Sequence, residues 1–399
     1  MLVFAAPGQG AQTPGFLAPW LEIPGFADRI AAWSDLAGCD LIAAGTTGGA
    51  DEIRDTAVAQ PLLVAAAIAA TEALCGDLAQ AQRQGGIAAG HSVGELAAGA
   101  IAGVVSPADS MRLIAVRSRA MAKAAAAEPT GMTAILGGSE PDVLAALAAL
   151  GLTPANINAT GQIVAAGTVD QLAALAADPP AGTRLRPLSV AGAFHSPHMA
   201  PATGALREAA AGVATHDPAI VLLSNLDGAA VTSGTDWLER IIAQVSAPVQ
   251  WQACMATMAT LGTSAVIELL PGGTLTGLAR RALPGVATLA LKTPDDLAAG
   301  RSLLAEHGTQ NPHDSGHVPE WRLLVAPQDG TFRADGEGGP LAPGVSVSSG
   351  APLGHVEVRS GQHAIAPSFP ATIVEWLVED GDPVNVGQPL VRLLPDGSE

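Results

Sequence analysis

The sequence predicts an α/β protein followed by a small all-β unit. Three observations carry that expectation. Over residues 1–128, and again over 190–292, short apolar runs alternate with Ala-rich segments of helical length. Between them, residues 129–189 follow the order β-α-β-β-α-β. Past Trp321 the chain becomes short alternating runs punctuated by Gly and Pro. Alternating strands and helices cover both faces of a parallel sheet, whereas closely spaced short strands with turn residues pack as a β sandwich.

Each element follows in order. Residues 2–5 read as a first strand and 60–74 as a helix. Residues 86–89 form an apolar strand that enters Gly90-His91-Ser92-Val93-Gly94, and a helix starts at once with Glu95-Leu96-Ala97-Ala98. A further helix covers 110–125. In the insert, strands fall at 132–136, 153–158, 163–166 and 184–190, with helices at 140–150 and 169–177. That order is the ferredoxin-like pattern, set into an α/β-hydrolase-like body with a parallel sheet. The body closes with a helix at 275–282 and a strand at 289–291. Residues 293–320 have the mixed polar composition of a linker, with a helical stretch at 297–307. In the terminal unit, 321–399, Val347, Gly350, Leu353 and Val356 recur in spacing as Val384, Gly387, Leu390 and Leu393. Such a repeat predicts two similar half-units.

Composition narrows the function. Hydrophobic residues make up 48% and charged residues 14%, a globular composition with chain enough for more than one core. A net charge of -18 excludes non-specific nucleic-acid binding. Arg280 and Arg281 form a candidate local basic patch for an acidic partner. Cys39, Cys75 and Cys254 lie too far apart in sequence for a disulfide framework or zinc spacing and fit a reducing, cytoplasmic setting. Residues 1–6 lack a basic region before the Gly-rich turn, and the apolar stretch 62–74 is short and interrupted by Thr71 and Glu72. The expectation is a protein with no signal peptide, no membrane span and no metal.

The chemistry starts at Gly90-His91-Ser92-Val93-Gly94. A serine on a tight turn between a buried strand and a helix is a nucleophile elbow, and the helix N-terminus offers free N–H groups to an oxyanion. Such a serine needs a base. His195 and His198, in Ala193-Phe194-His195-Ser196-Pro197-His198, both follow a strand of the body, and the residues alone leave the two as rivals.

Further motifs frame the elbow. They are Pro7-Gly8-Gln9-Gly10-Ala11-Gln12, Gln60-Pro61, Arg117-Ser118-Arg119-Ala120-Met121 and Asn156-Ile157-Asn158. Pro248-Val249-Gln250-Trp251 and Glu268-Leu269-Leu270-Pro271-Gly272 complete the set. Over residues 1–292 the chain resembles the malonyl-CoA:acyl carrier protein transacylases and the acyltransferase domains of polyketide synthases. The resemblance implies Ser92 as nucleophile, His195 as base, and the N–H groups of Gln9 and Val93 as the oxyanion hole. It implies that the Gln250 carbonyl orients the imidazole and that Arg117 pairs with the malonyl carboxylate. It places His91, Gln60, Phe194, Gln250, Asn156 and Asn158 around the substrate, with Phe194 crowding an α-methyl group. Gly192 departs from the His-Ala-Phe-His form of malonyl-selective members. Malonyl-CoA is then a substrate, an acyl carrier protein in its phosphopantetheine form is the partner, and no tightly bound cofactor is expected. The alternatives are an editing hydrolase that clears acyl groups from a carrier, or the transacylase subunit of a malonate decarboxylase.

The terminal unit resembles a biotinyl/lipoyl (hammerhead) carrier domain in Gly330-Thr331-Phe332-Arg333, Ile365-Ala366-Pro367 and the run from Ile373 to Val384. Where biotin carriers have Glu-Ala-Met-Lys-Met, this chain has Glu357-Val358-Arg359-Ser360-Gly361, and no lysine follows Lys292. The expectation is a fused stabilising or docking module with no biotin or lipoyl attachment, and its sharper form is docking on a carboxylase or synthase complex.

Overall fold

A computed structural model describes residues 1–308, 322–335, 339–358 and 361–395. It divides into two compact units, 1–310 and 311–399.

The first unit opens with β1 (Leu2–Ala6), α1 (Phe26–Ala37), α2 (Leu41–Thr46), α3 (Thr56–Cys75), α4 (Leu78–Gln84), β2 (Ile87–Gly90), α5 (Gly94–Ile101) and α6 (Pro107–Ala125). The insert is β3 (Thr130–Gly137), α7 (Glu140–Ala149), β4 (Thr153–Ala159), β5 (Gln162–Thr168), α8 (Val169–Ala177) and β6 (Thr183–Pro187). The chain returns with α9 (Ala200–Ala210), β7 (Val221–Leu223), β8 (Ala230–Val231), α10 (Gly234–Gln244) and α11 (Trp251–Thr260). It ends with β9 (Ala265–Glu268), α12 (Thr274–Ala282), β10 (Ala287–Ala290) and α13 (Asp296–His307).

The main sheet has the order β10-β9-β1-β2-β7-β8, with β8 alone antiparallel to its neighbour. Strand β1 shows why both faces are covered. Leu2, Phe4 and Ala6 enter a core shared with α3, α5 and α6, while Val3 and Ala5 enter a second core with α11 and α12. A strand buried on both sides reads as a continuous apolar run. The carboxyl ends of β1, β2, β7 and β9 lie along one edge, the place where parallel sheets present reactive groups.

The insert forms its own antiparallel sheet, β4-β5-β3-β6. Ile135, Ile163 and Ala165 pack under α7 and α8 with Val143, Leu147 and Leu175. The strand expected to run to 190 stops at Pro187, because the Val190 N–H turns back onto the Leu188 carbonyl at 3.0 Å.

The helical stretch read at 297–307 is α13, and it packs on the body: Leu297 and Leu304 are buried, and Arg301 donates to the Ala73 and Leu74 carbonyls. The apolar helix is longer than its sequence suggested. At 20 residues α3 has the length to cross a membrane, but 78% of its apolar window is buried within the protein. Burial on all sides makes it a core helix.

The second unit has β11 (Arg322–Val325), β12 (Gly330–Ala334), β13 (Ser346–Val347), β14 (Gly354–Val358), β15 (Gly361–Ile365), β16 (Ala371–Trp376), β17 (Pro383–Val384) and β18 (Pro389–Pro395). They make two four-stranded sheets, β11-β18-β16-β13 and β15-β14-β12-β17. The repeat read from sequence is visible in the packing. Val347 and Leu353 share one core with Leu393, and Val384 and Leu390 share the other with Val356. Each half-unit thus begins in one sheet and crosses to the other. Arg359 and Ser360, which the sequence aligned with the carrier's attachment motif, lie outside the described residues.

Glu268, fully buried at the end of β9, caps α12. Its carboxylate accepts the N–H groups of Thr274, Leu275 and Thr276 at 2.9, 2.8 and 2.7 Å. Glu268→Ala leaves these helix-start donors unsatisfied and is expected to cost about 3 kcal/mol, read as a lowered urea midpoint. A change within about 0.5 kcal/mol would show that the cap contributes nothing.

Candidate active site

The elbow is built where β2 ends beside β1. Gly90 and Gly94 permit it by having no side chain. A Cβ on Gly90 would lie 2.0 Å from the Gly94 carbonyl carbon, and one on Gly94 would lie 2.3 Å from the Ala6 carbonyl oxygen. Between them Ser92 takes φ 53°, a left-handed conformation unfavourable for a residue with a Cβ.

His195 is left-handed too, at φ 57°. Its loop is pinned by the Ala193 N–H donating to Thr130 Oγ1 at 3.0 Å, and by Ser196 Oγ donating to the Ala193 carbonyl at 2.6 Å. His195 Nε2 then lies 2.7 Å from Ser92 Oγ. His198 is elsewhere: its Nδ1 faces Glu128 Oε2 at 3.0 Å on the surface.

The second nitrogen fixes the tautomer. His195 Nδ1 lies 3.1 Å from the carbonyl of Gln244, which can only accept, so Nδ1 carries the proton and Nε2 is free to receive one. The Gln244 side-chain amide nitrogen lies 3.2 Å from the same nitrogen and donates one of its two N–H groups to the Ala247 carbonyl at 3.3 Å. This corrects the expectation placed on Gln250. The Gln250 carbonyl accepts the Cys254 N–H at 3.1 Å as the start of α11, and its own N–H goes to the Asn225 carbonyl at 2.8 Å. Gln244 is the last residue of α10, where carbonyls lack partners inside the helix and the dipole favours a positive imidazole.

Arg117 is buried on the core face of α6, with 3% exposure. Its Nη1 donates to Gln60 Oε1 at 2.7 Å, and its Nη2 stands 3.5 Å from Ser92 Oγ. Among the described residues no carboxylate forms an ion pair with it. Burial pushes its pKa down to about 10, which leaves it charged at neutral pH.

A cavity of about 250 Å³ opens over Ser92 and His195, with Arg117 and Val93 behind its lining residues. Gln9, Gln60, His91, Asn156, Asn158 and Phe194 line it with Ser92 and His195. His91 Nε2 bonds to Asn158 Oδ1 at 2.8 Å and its ring meets Trp251 edge-on, so the elbow is tied to the insert. Burial holds the His91 pKa down. Among the described residues, neither the Gln9 N–H nor the Val93 N–H has an acceptor. Gln250 is not part of the lining. The sequence reading also missed an apolar wall made by Met132 and Ala134 of β3, Val164 of β5 and Leu275 and Leu278 of α12.

Burial, with Arg117 adding to it, pushes the His195 pKa down to about 3. An unfolded histidine takes its proton near pH 6.5. The unfolded chain therefore binds the extra proton first, and stability from this residue is lost as pH falls below about 6.5. The base stays available throughout that range. kcat/KM for acyl transfer is expected to show no acid limb between pH 8 and about 5. A limb centred near pH 6.5 would contradict the buried, neutral imidazole.

Residues 3–295 match the family model described as "Acyl transferase domain". The malonyl CoA-acyl carrier protein transacylase of Mycobacterium tuberculosis is 52% identical over 297 residues, covering 74% of this chain and 98% of the relative. The protein of that name from Escherichia coli is 33% identical over 311 residues, covering 75% and 98%. The crystal structure of MCAT from Mycobacterium tuberculosis superposes with a TM-score of 0.71 at 50% identity, covering 75% of this chain and 99% of that one. A malonyl-transacylase in complex with a type II PKS acyl-carrier protein superposes at 0.69 with 27% identity, covering 75% and 99%. The chain belongs to the acyl transferase domain family.

Proposed function

We propose that this protein moves a malonyl group from coenzyme A to the phosphopantetheine thiol of an acyl carrier protein, through an ester on Ser92, in fatty-acid or polyketide synthesis. The observation that carries the reading is a serine–imidazole pair at 2.7 Å beside a buried arginine that has no carboxylate ion-pair partner among the described residues. His195 Nε2 takes the Ser92 proton as Oγ attacks the thioester carbonyl. The oxyanion is received by the free N–H groups of Gln9 and Val93. The tetrahedral centre collapses, the C–S bond breaks, and the imidazolium gives its proton to the departing thiolate, releasing coenzyme A as the thiol. The carrier's thiol then repeats the sequence in reverse on the malonyl ester. Arg117, held by Gln60, faces the malonyl carboxylate. An acetyl chain leaves that cation unpaired, which is the basis of rejection. The free cysteines and the coenzyme A substrate fit a cytoplasmic setting.

The insert is read as ferredoxin-like, supported by its second-third-first-fourth strand order. The terminal unit is read as a biotinyl/lipoyl-like module, supported by its two interleaved sheets. The chain's only lysines, Lys123 and Lys292, precede that unit, which favours a docking role toward a carboxylase or synthase complex over cofactor carriage.

Intact-protein mass spectrometry after brief exposure to malonyl-CoA tests the reading. The expected result is a malonyl adduct, absent in Ser92→Ala and discharged by a holo-carrier. An acetyl adduct lost to water, with little malonyl, would overturn it in favour of an editing hydrolase. In Arg117→Ala the preference for malonyl-CoA over acetyl-CoA is expected to fall by at least ~100-fold in competition. An unchanged preference would remove Arg117 from selectivity.

A further inference from the structure

Asn225 stands at the end of β7, beside the end of β2, and is fully buried. Each of its polar atoms is engaged with the catalytic edge. Oδ1 accepts the Ser92 N–H at 2.6 Å, and Nδ2 donates to the Gly90 carbonyl at 2.7 Å. Its backbone N–H donates to Glu95 Oε1 at 3.2 Å, and its carbonyl accepts the Gln250 N–H at 2.8 Å. The side-chain amide thus grips the turn on both sides of His91, and one of the gripped groups belongs to the strained serine itself.

We infer that Asn225 is a positioning residue that holds Ser92 in its left-handed conformation, with Oγ at hydrogen-bond distance from His195. A left-handed residue with a Cβ persists only where its surroundings over-determine it. Only an amide fits this position. A hydroxyl cannot span two backbone groups on either side of a residue, and a carboxylate cannot donate to the Gly90 carbonyl. Without the staple the Ser92 N–H and the Gly90 carbonyl lose their partners, and the turn can relax away from the base. A misplacement of about 1 Å at a reacting atom costs on the order of 100-fold in rate.

The inference rests on Ser92 being the nucleophile, and the experiment separates the two. Single-turnover acylation by malonyl-CoA is followed by rapid-quench mass spectrometry in the full chain. Wild type against Ser92→Ala tests the nucleophile. Asn225→Ala and Asn225→Asp test the staple, and malonyl-CoA affinity is measured for each in the Ser92→Ala background. In Asn225→Ala, acylation at saturating malonyl-CoA is expected to fall about 100-fold, with the dissociation constant in the Ser92→Ala background within about threefold of that of Ser92→Ala alone. Asn225→Asp keeps the shape, and its introduced carboxyl regains a donor only when protonated. Acylation in that variant is therefore expected to rise as pH is lowered, where wild type is flat. Acylation within threefold of wild type in either variant would overturn the inference. So would a loss of rate matched by an equal loss of affinity, a loss of folded protein in both variants, or an Asn225→Asp profile as flat as wild type.

Discussion

The structure depends on one contact between two strained residues. Ser92 and His195 come from segments 103 positions apart, both left-handed at φ 53° and 57°, and meet at 2.7 Å. A left-handed backbone costs about 1–2 kcal/mol for a residue with a Cβ. The compensating groups lie at the ends of regular elements, where backbone hydrogen bonds run out. The last carbonyl of α10 accepts a hydrogen bond from the imidazole N–H, the start of α5 leaves the Val93 N–H free, and the end of β7 supplies Asn225. Parallel topology brings these ends to one edge, so the elements that build the core also aim the site.

Burial sets the charges. Desolvation keeps His195 neutral and able to accept a proton, and raises the Glu95 carboxyl to about 8. Arg117 remains charged under the same burial because a guanidinium begins so far above neutrality. The empty site therefore holds a cation bonded to a neutral amide, an arrangement that is costly until an anion arrives. In the proposed reaction a dicarboxylic acyl chain supplies that anion and places its thioester over Ser92, so that selectivity and alignment are one interaction.

Local chemistry was legible in the sequence. The elbow needs only a strand, two glycines and a helix in succession, and those are contiguous. The half-unit repeat was legible because Val347, Leu353, Val384 and Leu390 alternate inward over short distances. The burial of Arg117 could also have been read, since it lies three residues after Ile114 and four before Met121 on the apolar stripe of α6. Long-range pairings could not. Which carbonyl meets His195 depends on where α10 stops, so Gln250 was expected and Gln244 is found. Asn225 left a fainter signal, a polar side chain directly after an apolar parallel strand. The helix at 297–307 was legible despite its polar composition, because Leu297 and Leu304, two turns apart, give it an apolar anchor on the body.

The central claim is that the fold activates Ser92 before any substrate arrives. Labelling the substrate-free protein with a small, neutral serine-directed fluorophosphonate tests it most directly. The account predicts rapid modification confined to Ser92, lost in His195→Ala and kept in Arg117→Ala, since the reagent carries no carboxylate. Labelling that needed coenzyme A, or that survived loss of His195, would contradict it.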